Sequence, residues 1–412
     1  MKIVVVSQYY YPENVGIPVA LARRLSERGH DVVVVTGYPN YPAGRIFGGY
    51  KQRIRFEETC DGVRVRRVPL LTSHTMNGFG RVANYVSFAI SSALIGRLAS
   101  NADAVYVYAP QMTAAVGPWL WRWLWRTPFV LHVQDLWPES ITASSLVKSR
   151  LIERVIDVML TRWLRRVYSA SSAVIATSPS MRSILERRGA RSDTVHVVYN
   201  WATEERMSSF SPDPTRAVSG VTRITFAGNL GVFQDLETVI RAAALVADLT
   251  GVHIRFVGDG VAERSLRHLV DELGQRNVEF SPRRAVEDMG SVHATSDFEV
   301  VCLKDCDVFD GTIPSKFQSS LFHGVPVIST VRGDMSRVVA DNNLGFVARP
   351  EDPDDLARVF RHVASLSREK KTALARRARA YYDEHLSEDR AINHIESILE
   401  NASGISRKVA AS

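Results

Sequence analysis

Three short segments of this 412-residue chain set reactive or charged side chains beside backbone turns. The first, Phe226-Ala-Gly-Asn-Leu-Gly-Val-Phe-Gln-Asp235, ends a strand-like run in Gly228 and Gly231 and leads into a helix near Asp235. Glycines in such a turn let backbone N–H groups converge on an anion. Taken alone, the segment reads equally as a tight strand-to-helix turn with Asp235 as its N-cap. The second, Thr312-Ile-Pro-Ser-Lys-Phe-Gln-Ser-Ser-Leu-Phe-His-Gly-Val-Pro-Val327, predicts a helix opened by Pro314 and Ser315 and closed by Gly324, with a buried strand after it. Lys316 then falls in the first helical turn, where the macrodipole disfavours a cation unless an anion sits beside it. That makes Lys316 the expected contact for an anionic ligand, the alternative being a solvated surface lysine. The third, Phe129-Val-Leu-His-Val-Gln-Asp-Leu-Trp-Pro-Glu139, carries His132, Gln134 and Asp135 to the carboxyl end of a strand. Alternation puts His132 and Gln134 on one face, with Asp135 where the strand gives way to loop. A strand histidine can also be a satisfied core residue, but loops at strand ends are where binding and catalysis concentrate.

These segments need a scaffold that delivers strand ends to one place. The first half alternates short β-branched runs (Ile3–Val6, Asp31–Val35, Ala104–Tyr108, Phe129–Leu131) with helical stretches such as Val15–Arg28. Such alternation predicts parallel βαβ units buried on both faces. It breaks over residues 201–220, a polar stretch rich in Ser and Pro that reads as a linker. It restarts at Ile224–Gly228, His253–Gly258 and Phe298–Val301. The expectation is an α/β protein with a doubly wound domain over 1–200, a second over 221–385, and a C-terminal helix over 386–403 able to pack back on the first. A ligand would then bind at the carboxyl ends of the strands.

Several functions are disfavoured at this stage. The turn after the first strand, Ser7-Gln-Tyr-Tyr-Tyr-Pro-Glu-Asn-Val-Gly16, lacks G-x-G-x-x-G, so a nicotinamide pyrophosphate could not lie against its backbone in the usual way, and no Walker A sequence occurs. Asp305-Cys306-Asp307 is an acidic triplet that could hold a divalent metal, or simply a solvated loop. Three cysteines form no paired framework, and the N-terminus lacks the pattern of a signal peptide, so a cytoplasmic location is expected. The net charge of +7 calls for an anionic partner, but no nucleic-acid recognition motif or basic tail is present. Trp119, Trp121, Trp123 and Trp125 run beside Arg122 and Arg126, and the stretch 150–166 combines apolar residues with Arg150, Arg154, Arg162, Arg165 and Arg166. This composition suits an interfacial helix on an anionic membrane surface. The stretch 83–99 falls short of the ~20 apolar residues of a spanning helix. Ordinary covering helices would explain the apolar faces but not the density of arginine.

Read together, SQYYYPE, HVQDLWPES, VVYNWA, FAGNLGVFQDLETVI, VGDG and LKDCDVFDGTIPSKFQ followed by GVPV resemble the family 4 retaining glycosyltransferases, near the branch of N-acetylfucosamine-type and colanic-acid-type transferases. The likeness runs from Ile3 past Val327, with the motifs in family order. It implies the GT-B fold, two Rossmann-like domains facing across a cleft, and a hexosyltransferase that uses no metal or cofactor. The nucleotide sugar, expected to be UDP-linked with an N-acetylated or deoxy sugar, would pass its glycosyl group with retention to a lipid-linked acceptor. The leaving phosphate oxygen would take the proton of the incoming hydroxyl. His132 and Asp135 would contact donor sugar or acceptor, and Gly16 would let the backbone approach the diphosphate. Gly228, Asn229 and Lys316 would face the donor, with Arg283 beside the base. The chain departs from the family at its paired glutamates, replaced by Gly311 and Ser319, and at an Arg and Lys replaced by Asn229 and Gln234. Ser319 or Gln318 would then have to hold the ribose. Alternatives from the same residues are a soluble transferase with a small-molecule acceptor, a sugar-nucleotide epimerase, and a non-catalytic partner protein of the same fold.

Overall fold

The computed structural model describes residues 1–72, 78–137, 150–204, 207, 220–306 and 309–404, the side chains of 78, 79 and 150–156 excepted. The chain forms two compact units, Met1–Tyr199 with Ala391–Ser412, and Asn200–Arg390. In the first, the described strands are β1 (Lys2–Ser7), β2 (Asp31–Gly37), β3 (Phe56–Cys60), β4 (Val63–Val68), β5 (Ala104–Ala109), β6 (Phe129–Val133), β7 (Ala173–Ala176) and β8 (Val195–Val197). They form one sheet in the order β3-β4-β2-β1-β5-β6-β7-β8, parallel except for the β3–β4 pair. The second unit holds β9 (Thr222–Ala227), β10 (Val252–Val257), β11 (Val278–Ser281), β12 (Phe298–Val301), β13 (Val327–Ser329) and β14 (Gly345–Val347). Its order is β11-β10-β9-β12-β13-β14, all parallel.

The unbroken apolar runs explain the sheets. Every residue of β5, β6 and β12 is buried, as expected where helices cover both faces of a parallel sheet. Each fully buried Val, Leu or Ile in these strands contributes about 1.5–3 kcal/mol. The two cores centre on Val4, Val107 and Leu131 in the first unit and on Ile224, Phe256 and Val300 in the second.

The strand order reverses once in each unit, between β1 and β5 and between β9 and β12. At such a point the loops leave their strands in opposite directions and open a crevice at the carboxyl ends. In the second unit those loops carry Gly228–Asp235 after β9 and the approach to the helix Ser315–Phe322 after β12. Two of the three chemically suggestive segments therefore meet at one switch point. The third follows β6 in the first unit.

Candidate functional site

In the second unit the turn after β9 is tightly packed. Gly258, at the end of β10, lies so close to Gly228 that a Cβ there would sit 1.9 Å from the Gly228 carbonyl oxygen, and a Cβ on Gly260 would sit 2.3 Å from that of Leu230. The N–H groups of Gly228 and Leu230 donate to the carbonyls of Val257 and Asp259 (2.9 and 2.8 Å). These two amides therefore brace the turn and do not offer themselves to an anion. Asp235 starts the helix Leu236–Ala244 from a left-handed conformation, φ 49°. Its carboxylate caps no amide of that helix, instead accepting from the Thr238 hydroxyl (2.9 Å) and the Glu351 amide (3.3 Å).

Lys316 supplies the positive charge. It stands in the first turn of the helix Ser315–Phe322, behind Pro314, and reaches back under the β9 turn. A Cβ on Gly228 would lie 2.7 Å from Lys316 Cε and 3.2 Å from Nζ, so glycine is what allows the lysine to come up beneath the turn. Nζ donates to Gln234 Oε1 (2.9 Å) and lies 4.7 Å from the centre of the Phe226 ring. Burial pushes its pKa down, partly offset by nearby Cys302 and Glu299. Among the described residues Lys316 makes no ion pair with a carboxylate, so its charge remains uncompensated by any direct partner. An ammonium so placed at a helix N-terminus is suited to an anion that approaches over Gly228.

The other expected donor residues of this unit spread around that point. Asn229 is exposed at the tip of the turn. Arg283 is exposed and pairs with Asp259 (3.3 Å) in the neighbouring loop. Gln318 is 1% exposed, and with its amide nitrogen turned inward it donates to the carbonyls of Pro314 and Ser315 (2.8 and 3.2 Å). Ser319 is half-buried, and its hydroxyl lies 3.2 Å from His293 Nε2. Behind it stands Glu299, which sequence reading overlooked: 1% exposed, it accepts from the Ala227 amide (3.0 Å) and lies 3.4 Å from His293 Nδ1. Burial pushes its carboxyl up to about 8, moderated by the Ala227 amide, Lys316 and Arg255. A carboxylate in the middle of an otherwise apolar strand was the available signal.

In the first unit Gly16 opens the helix Gly16–Glu27 after β1. His132 is fully enclosed: Nδ1 bonds the Tyr106 hydroxyl, and the ring stands edge-on to Tyr106 and Tyr108. Burial drives its pKa down to about 3, so the ring is neutral. Asp135 keeps an exposed surface, yet desolvation by the surrounding protein raises its carboxyl to about 6. No contact joins His132 to Asp135; the strand end brings one inward and the other outward. A residue the sequence did not single out, Glu13, accepts amide bonds from Tyr10, Asn40 and Tyr41 (3.2, 2.8 and 2.8 Å) and so ties the loop after β1 to the loop after β2.

Asp305 pairs with Arg332 (2.9 Å), which also pairs with Asp310 (2.7 Å), and Asp307 lies outside the described residues. Among the described residues no group of three or more His, Cys, Asp or Glu could hold a metal ion.

The comparisons with known proteins follow the same division of the chain. Residues 19–201 match the glycosyl transferase 4-like domain, and residues 221–365 match the glycosyl transferases group 1 domain. WcaI of Escherichia coli K12, designated a colanic acid biosynthesis glycosyl transferase, is 25% identical over 342 residues, covering 80% of this chain and 83% of its own length. WbjE of Pseudomonas aeruginosa, designated a glycosyltransferase, is 23% identical over 250 residues, covering 58% of this chain and 60% of its own. Among solved structures, Anabaena HepE in complex with UDP superposes with a TM-score of 0.70 at 17% identity, covering 97% of this chain and all of that one. Sucrose-phosphate synthase from Thermosynechococcus elongatus gives 0.73 at 14% identity, with full coverage of both chains. Matched in order by a family domain in each half, the chain belongs to the family 4 glycosyltransferases and is built on the GT-B fold.

Proposed function

We propose that this glycosyltransferase transfers a sugar, N-acetylated or deoxygenated, from a UDP-linked donor to a lipid-linked glycan acceptor in surface-polysaccharide synthesis. Transfer proceeds with retention and without a metal, at the inner face of the cell membrane. The observation that carries the reading is Lys316, an ammonium without an ion-pair partner among the described residues, held under Gly228 at the switch point of the second unit. There it can neutralise a leaving diphosphate as preorganised charge, the role a metal would otherwise fill. The designation of WcaI supports the polysaccharide assignment, and the UDP complex of HepE, a protein of the same fold, supports the nucleotide. With the leaving phosphate oxygen receiving the acceptor proton, no enclosed group such as His132 has to act as base. His132 instead packs behind the end of β6, and Asp135, accessible and with a raised pKa, is suited to a hydroxyl of donor sugar or acceptor.

The lipid-linked acceptor is favoured by a surface of the first unit. The helices Gly78–Ala93 and Val116–Trp125 pack closely, with Gly117 against the backbone of Ala93 and the Trp121 indole donating to the Ala93 carbonyl (3.0 Å). Their outward side shows Val82, Val86, Ile90 and Leu94 at every fourth residue, joined by Trp123, Leu124 and Trp125. Exposed arginines 81, 97, 122 and 126 accompany them, with 162, 165 and 166 on the helix Arg150–Ala170. No described helix is long and apolar enough to cross a membrane, so contact would be peripheral. The side chains of Arg150 and Arg154 lie outside the described residues.

Isothermal titration with UDP, GDP and ADP tests the donor assignment. UDP is expected to bind most tightly, with or without EDTA, and product NMR to show the donor's anomeric configuration preserved. Absence of UDP binding at millimolar concentration, or inversion in the product, overturns the reading.

A further inference from the structure

Ser319 stands where a ribose-holding carboxylate is expected in this family, yet a lone hydroxyl is a weak and freely rotating substitute. The structure gives that hydroxyl a fixed backing. His293 Nε2 lies 3.2 Å from Ser319 Oγ, and His293 Nδ1 lies 3.4 Å from Glu299 Oε2. The other carboxylate oxygen, Oε1, is fixed by the Ala227 amide at 3.0 Å. His293 and Glu299 are each 1% exposed, so neither can reach a ligand directly. The ring of His293 is held in its plane by stacking on His323, 4.6 Å between centroids at 28°. His323 Nδ1 in turn donates to the Ser319 carbonyl (2.8 Å), pinning the same residue from a second side. The end of the helix that carries His293 is clamped by Arg255, which donates to the Val292 carbonyl and the Thr295 hydroxyl, both 2.9 Å. A buried carboxylate, a clamped imidazole and a half-buried hydroxyl thus form one line from the β12 strand to the surface beside Lys316.

We propose that Glu299 and His293 are positioning residues that act through Ser319 to hold the ribose of the nucleotide, replacing from below the carboxylate that position 319 lacks. This rests on the donor assignment made above. A ribose hydroxyl that donates to Ser319 Oγ needs Ser319 to direct its own proton elsewhere. His293 Nε2 accepts it; Glu299 Oε2, 3.4 Å from His293 Nδ1 without hydrogen-bond geometry, acts through its charge, which in the ionised form favours the proton on Nδ1 and so leaves Nε2 as the acceptor for Ser319. The Met207 thioether, 3.9 Å from Ser319 Oγ, is the only weaker competitor for that proton among the described residues. Lys316 and Arg255 are the cations that face Glu299 and favour its ionised form, and His323 is the titratable group against His293. Because the line would meet the sugar and not the base, the arrangement would confer preference for a ribose hydroxyl and not for a particular base.

The test compares the affinity for UDP with that for 2′,3′-dideoxy-UDP by calorimetry at pH 8.5, in wild type, Glu299→Gln and His293→Asn, each with and without Ser319→Glu. Wild type is expected to prefer UDP by roughly 10- to 100-fold, the range for a hydrogen bond to a charged or buried partner. Either single variant should lose most of that preference while its affinity for the dideoxy analogue stays within about 3-fold of wild type. Ser319→Glu should restore it in both variants, since the carboxylate then meets the ribose directly; a merely structural defect would not be rescued in this way. An unchanged UDP preference in both single variants overturns the positioning role and leaves the donor assignment standing. Failure of the wild type to bind UDP at all overturns the donor assignment instead, and this inference with it.

Discussion

At the scale of single residues, the proposed site turns on Lys316. Its direct contacts are a neutral amide, Gln234, and the face of Phe226, so removing it breaks no ion pair and takes away an ammonium that burial disfavours; buried Glu299, which its charge helps to ionise, can take up a proton instead. Lys316→Ala is therefore expected to leave the thermal midpoint within about 2 °C of wild type while turnover falls roughly 100-fold or more, the scale of one lost electrostatic stabiliser. Steady-state rates and a melting curve decide it; undiminished turnover would take Lys316 out of the chemistry. The lysine was legible in the sequence because a cation in a first helical turn is locally unfavourable and calls for a compensating anion. Glu299 and His293 were not legible as a pair. They lie on separate elements, and only the approach of the helix Met289–Ala294 to β12 brings the imidazole within reach of the carboxylate. The turn after β9 was recognised as a glycine turn, yet two of its amides brace the adjacent loop. Which amides are committed depends on a neighbouring strand and could not be read from local spacing.

At the scale of elements, the strands were visible because burial on both faces writes continuous apolar runs into them, as in Ala104–Ala109. The outward stripe of the helix Gly78–Ala93 was less legible. Its sequence is apolar on more than one side, and only the packing of Gly117 against Ala93 settles which residues turn inward. Val82, Val86, Ile90 and Leu94 remain outside, Leu94 at 81% exposure beside Trp123 at 80%. So large an exposed apolar ridge edged with arginine suits insertion among headgroups. Replacing Leu94 and Trp123 together by glutamate should lower affinity for vesicles containing anionic lipid at least 10-fold, without loss of UDP binding. Replacing Arg162, Arg165 and Arg166 should weaken it further, by about 1 kcal/mol for each charge near the surface. A flotation assay at low salt reads both. Retained binding in the glutamate variant would take this ridge out of membrane docking, and none in the wild type would favour a soluble acceptor.

At the scale of the whole molecule, the two units contain buried ionisable groups whose effects on stability run in opposite directions with pH. His132 has a folded pKa near 3 against an ordinary 6.5, so its contribution is complete above 6.5 and is lost as pH falls. Between pH 6.5 and 5 the loss is about 2 kcal/mol. Asp135, raised to about 6, opposes this within the same unit, but its exposed carboxyl is screened by solvent and should count for less. Glu299 behaves in the reverse sense: raised from 4.5 to about 8, it contributes fully below 4.5 and loses that contribution as pH rises through 8. Absolute melting points combine many such groups, so the informative quantity is the difference between variant and wild type. For His132→Phe that difference should move in the variant's favour on going from pH 7 to pH 5, by several degrees at about 2–4 °C per kcal/mol. For Glu299→Gln it should move in the variant's favour in the other direction, from pH 5 to pH 8.5. Each shift is expected even if the substitution itself costs stability, because that cost is common to both pH values. A difference that stays flat for His132→Phe would mean that the imidazole takes up its proton in the folded protein as readily as in the unfolded chain. A flat difference for Glu299→Gln would mean that His293 and Lys316 hold the carboxylate ionised throughout, with its charge available to Ser319 even in acid.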